Sequence, residues 1–130
     1  EALVLIAPPT VAVDFKLCLA NPDERTRAAA VTLAGITGVR GGEDPLAIGT
    51  EDASALVRAR AASAIKTAGR LDLIERLIDL INDPVWWVRY RAGLAMMSIS
   101  TESRALLRSL SMQDNPQGLM AREILAEARV

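Results

Sequence analysis

The stretch Asn82-Asp83-Pro84-Val85-Trp86-Trp87-Val88-Arg89-Tyr90-Arg91-Ala92 decides how this chain folds. It opens on an oxygen acceptor followed by proline, the pairing that starts a helix, because the acceptor takes a free N–H and proline has none to lose. Val88 and Ala92 then fall on one helical face, four residues apart. The same grammar returns at steps of 31 residues: Asn21, Asp52, Asp83 and Asp114 form one column, and Thr26, Val57, Val88 and Leu119 form a second, five residues later. Arg27, Arg58 and Arg89 align in the same register, as do Ala30, Ala61 and Ala92, and Leu33, Ala64, Ala95 and Ala126. Gly38 and Gly69 fall where helices should end, since glycine accepts the left-handed conformation there.

A fixed period carrying a capping residue and then a branched apolar residue is what stacked helix pairs require, because one pair cannot bury its apolar face alone. The spacing predicts an all-α, right-handed α-solenoid, a superhelix of about four stacked helix pairs in one repeat domain over 1–130, a fragment of a longer chain. The repeats run roughly over 8–38, 39–69, 70–100 and 101–130, with soft boundaries. First helices are expected near 10–20, 71–82 and 102–112, and longer second helices near 23–37, 53–68, 84–100 and 116–129. Asn21-Pro22, Asp83-Pro84 and Asn115-Pro116 should each be an N-cap with proline at the first helical position. In the third repeat, Leu73, Ile74, Leu77, Ile78 and Ile81 give one apolar stripe, and Val88, Ala92, Ala95, Met96 and Ile99 the facing one. Val39–Thr50 breaks the regularity: Gly41-Gly42, Pro45 and Gly49 leave about one turn for a first helix. The second pair is therefore degenerate, a loop that buries Leu46 and Ile48 or serves as a hinge or binding segment.

Composition narrows the function classes. The 130 residues are 51% hydrophobic and 3% aromatic, enough for a continuous core of aliphatic and alanine contacts, and the net charge of −1 exerts no overall pull toward nucleic acid or anionic membrane. There is no histidine, so the commonest general base and metal ligand is missing, and no catalytic residue, cofactor site or metal site is assigned. Cys18, the only cysteine, lacks an imidazole partner and shares its column with Leu80, which reads as a buried structural thiol in a reducing cytoplasm. Glu43-Asp44 and Glu51-Asp52 read as solvated caps near helix starts. The apolar N-terminal stretch is broken by Pro8-Pro9 and carries Asp14 and Lys16, which fits neither a signal peptide nor a membrane span. Ala2 to Ala7 reads as the tail of a preceding repeat's helix, leaving an apolar N-terminal face open to further sequence or to a second copy.

The segment Asn82 to Ala92 resembles the start of the second helix of a HEAT repeat, above all the shorter bacterial HEAT-like type, and the pattern recurs more weakly at 21–30, 52–61 and 114–124. The resemblance implies a hydrogen-bonded ladder between repeats, carried here by Asp52, Asp83, Arg58 and Arg89, with Asn21 and Arg27 as a weaker version. Met120 stands in the arginine column and Glu123 in the alanine column, so the last helix departs from the pattern and reads as a cap. The resemblance also implies that Trp86 packs against the neighbouring helix turn and that second helices line the concave side.

Solenoids of this kind use extended surfaces for many ligands. The leading expectation is a non-enzymatic scaffold that binds another protein; the alternatives are a nucleic-acid-binding HEAT-like protein or a relative of the HEAT-like phycobilin lyases. Arg60, Arg91 and Arg122 share a column and should line up along the second helices, either as a solvated face paired with acidic neighbours or as a basic strip for an acidic partner. Trp87, Tyr90 and Leu94 adjoin it, and Trp87 shares its column with Arg25, Leu56 and Gly118, which suggests a partly exposed position, either a packing residue of the helix or an anchor for a partner.

Overall fold

The computed structural model describes residues 14–38 and 43–128. Among them are eight α-helices, one short 3-10 turn at Leu71–Leu73 and no strand. They form four successive pairs: α1 (Phe15–Leu19) with α2 (Glu24–Thr37), α3 (Pro45–Thr50) with α4 (Ala55–Ala68), α5 (Ile74–Leu80) with α6 (Trp86–Ile99), and α7 (Thr101–Ser111) with α8 (Pro116–Ala128). The longer helices α2, α4 and α6 stack in order, the arrangement of an α-solenoid. Residues 2–7, expected as the tail of an earlier helix, and the glycines at 41 and 42 lie outside the described residues.

The first three long helices start at Glu24, Ala55 and Trp86, one period apart, and their N-caps are Asp23, Ser54 and Val85. The expected caps Asn21 and Asp83 therefore stand two residues too early. Their job is different: the side chains of Asn21, Asp52 and Asp83 accept from the backbone N–H of Asp23, Ser54 and Val85 at 2.8, 2.8 and 2.9 Å, shaping the turn that leads into each helix. Only Asn115-Pro116 follows the expected pattern, with helix α8 beginning at Pro116 and the Gly118 N–H bonded to Asn115 Oδ1 at 2.7 Å. The two ends expected at glycines agree with the sequence reading. Gly38 and Gly69 close α2 and α4 with φ of 74° and 64°, values that an L side chain adopts only under strain.

The second pair is less reduced than its glycines suggest. Pro45–Thr50 forms a six-residue helix capped by Asp44, with Leu46 buried and Ile48 half-buried. Gly49 is a contact residue and not a breaker: a Cβ there would come within 2.9 Å of Val31 and 3.1 Å of Ala61, so its absence lets α3 lie against α2 and α4. Val31, Leu46, Val57, Ile65, Leu77, Ile81, Val88, Met96, Leu107 and Ile124 make the core continuous through all four pairs. Each such buried side chain contributes about 1.5–3 kcal/mol relative to exposure. Cys18, expected in this core, is half-buried on α1.

Candidate functional site

The surface that matters starts with the ladder, because the ladder fixes where α6 begins. Arg58, from α4, grips Asp83 with two bonds, Nε to Oδ2 at 2.7 Å and Nη2 to Oδ1 at 3.2 Å, and its Nη1 donates to the carbonyls of Asp52 and Ala53. Arg27 repeats the arrangement on Asp52 at 2.9 and 3.1 Å, with Nη1 donating to the carbonyls of Asn21 and Pro22. Burial opposes the ionisation of Asp52, yet the hydrogen bonds from Arg27 and from the Ser54 N–H outweigh it and hold the Asp52 pKa below the ordinary carboxylate value. The ladder stops at the third rung. Arg89 donates to the Asp83 carbonyl at 2.7 Å, but among the described residues it forms no ion pair with Asp114. Arg27, expected as the weaker member, is thus a full rung, and Arg89 is the reduced one.

With Asp83 held from both sides, α6 begins on Trp86-Trp87 with no polar side chain at its cap. Trp86, expected to pack away, is 52% exposed, and Trp87 is 53% exposed. The Trp86 ring stacks on that of Tyr90, one turn on, with centroids 5.2 Å apart and planes 9° from parallel. The two rings form one wall of an open cleft of about 370 Å³, and Glu123 and Glu127 of α8 form the other. Glu127 stands close to the Tyr90 hydroxyl, where its carboxylate favours the neutral phenol and repels a phenolate, so the Tyr90 pKa is pushed above its ordinary value.

The arginine column is arranged differently from its sequence alignment. Arg60 is exposed on α4. Arg91, exposed on α6, reaches Ser63 Oγ at 2.9 Å, so it lies over the same stretch of α4. Arg122 is exposed on α8, but its Nη1 donates to the carbonyls of Ser111 and Gln113 at 2.8 and 3.0 Å, tying it to the end of α7. None of the three forms an ion pair among the described residues. Leu94 is half-buried. Trp87, Tyr90, Arg91 and Leu94 share one side of α6 at helical spacing, with Arg60 on the neighbouring α4.

Sequence reasoning missed Glu123 and Glu127 as a pair. The signal was present in the columns: Glu123 follows Ala30, Ala61 and Ala92, and Glu127 follows Ala34, Ile65 and Met96, all buried except these two. Two acids four residues apart thus stand exposed in columns that are buried in α2, α4 and α6. Helix α8 keeps Ala121 and Ile124 buried, as their columns are in α2 and α4, buries Met120 as well, and leaves Leu119 53% exposed.

The described residues contain no group of three or more His, Cys, Asp or Glu that could hold a metal ion, and no helix among them is long and apolar enough to cross a membrane. A family model for HEAT repeats matches residues 43–126. The chain belongs to the HEAT-repeat family, whose members commonly serve as protein-interaction scaffolds. No curated protein matches the chain.

Proposed function

We propose that this chain is a non-enzymatic scaffold that binds another protein across α6 and α8. The observation that carries the reading is the pair of adjacent, half-exposed tryptophans at the start of α6, since aromatic side chains of this size are the commonest anchors of protein interfaces and cost apolar hydration when left in water. Arg60 and Arg91, free of ion pairs among the described residues, give this surface a basic edge that suits an acidic segment of the partner. A nucleic acid is the poorer fit, because its phosphates would be brought toward Glu123 and Glu127.

The test compares two baits, the parent and Trp86→Ala/Trp87→Ala, in affinity capture from the source cell with nuclease added to half of each sample. The expected result is a defined protein that is retained by the parent, lost by the double variant and indifferent to nuclease, while the melting temperatures of the two baits stay close. Capture that is equal for both baits, or that nuclease abolishes, contradicts it.

A further inference from the structure

We infer that the cleft between Trp86–Tyr90 and Glu123–Glu127 is a subsite for one cationic side chain, an arginine or lysine displayed by the bound protein. This rests on the protein-binding reading above and adds the chemistry of what enters. The two parallel rings offer the electron-rich faces that attract a cation, and a planar guanidinium stacks on such a face at small desolvation cost. Opposite them stand two carboxylates, neither in an ion pair among the described residues. The chain's own nearest cation in sequence does not answer them, because the Arg122 guanidinium is committed to the Ser111 and Gln113 carbonyls. At about 370 Å³ the cleft is at the small end of ligand sites, suited to a side chain and too small for a helix. An acidic occupant would face two like charges, and a purely apolar one would desolvate both carboxylates without replacing their hydration. A cationic head on an apolar stem satisfies both walls, with the methylenes against the rings and the charge between the glutamates.

The cleft is therefore opposite in sign to the Arg60–Arg91 edge. A partner segment that uses both carries an acidic stretch and, set apart from it, a basic residue; each charge then excludes the reversed orientation, because a flipped segment would bring like charges together.

The test is a titration of the purified chain with acetyl-Gly-Arg-Gly-amide, followed through the indole N–H resonances of Trp86 and Trp87, with the norleucine peptide of the same length as control. The expected result is a saturable shift of Trp86 with the arginine peptide that weakens with added salt, and none with norleucine. Glu123→Gln/Glu127→Gln should weaken binding by about tenfold or more, with an unchanged melting temperature because both residues are exposed. Equal shifts from the two peptides, undiminished binding in the double variant, or no saturable shift overturns the assignment. Should the peptide fail while tryptophan-dependent protein capture persists, the cleft loses its role and the scaffold reading stands. Should the peptide bind while capture shows no dependence on the tryptophans, the scaffold reading fails and the cation site remains.

Discussion

At the residue scale, the ladder arginines look equivalent in sequence and are unequal in structure. Arg58 makes two bonds to a carboxylate that is nearly out of solvent and two more to carbonyls, whereas Arg89 makes one bond to a carbonyl. Arg58→Ala leaves Asp83 without its charge-assisted partner and should cost about 1 to 3 kcal/mol, against about 0.5 to 1.5 for Arg89→Ala. Urea denaturation of the two variants checks the order, and Arg89→Ala as the costlier change would contradict it. Asp52 adds a pH dependence. Its pKa is lowered by folding, so the stability it contributes is complete above the unfolded-state value near 4 and is lost as pH falls through the folded-state value. The urea midpoint should fall below pH ~4, and less steeply in Asp52→Asn. The columns made the ladder's members legible because the pattern is one-dimensional. They could not show that the last rung is unmade, since the column marks Asp114 while the turn into α8 uses Asn115.

At the scale of elements, small residues set how closely helices approach. A Cβ on Gly118 would lie 2.0 Å from the Gln113 carbonyl oxygen, a backbone atom, while one on Gly93 would lie 1.8 Å from the Ile124 Cδ1, the movable end of a side chain. Gly118→Ala should therefore cost more than Gly93→Ala, whose clash Ile124 can relieve by a rotamer change at about 1 to 3 kcal/mol. Thermal unfolding of both variants gives the order directly. Helix α7 is joined to α6 through Ser100, whose side chain and that of Ser103 cap each other, while Arg104 donates to the Met97 carbonyl through Nε and Nη2 at 3.2 and 2.9 Å. Of these elements, the long helices were legible from periodicity and from Gly38 and Gly69. Helix α3 was legible only as about one turn, because Gly49 reads as a breaker in sequence and only the neighbouring helices reveal it as a contact. The aromatic–acid cleft was hidden for a related reason: its two walls come from helices whose columns disagree, and the exposure of Glu123 and Glu127 on α8 shows only once its burial is known.

At the scale of the molecule, each pair is held mainly by its neighbours, so stability should grade along the stack. Backbone amides of α4 and α6, packed on both sides, should exchange most slowly, with α1 the fastest of the described helices because it is five residues long and buries none of them fully. Hydrogen exchange followed by mass spectrometry reads this gradient, and uniform protection would replace the stacked description with a single cooperative unit. The same stack presents a basic edge at Arg60 and Arg91 and an aromatic and acidic cleft at Trp86, Tyr90, Glu123 and Glu127, and in the proposed function a protein partner sits across both. Photo-crosslinking in the source cell from a reactive residue placed at Trp87 tests this arrangement, because the position is exposed, directly follows Trp86 and precedes Arg91 by one helical turn. The expected product is a discrete protein adduct that disappears when Arg60 and Arg91 are reversed to glutamate and when Glu123 and Glu127 are replaced by glutamine. Adducts to nucleic acid alone, or protein adducts indifferent to both sets of changes, would contradict it.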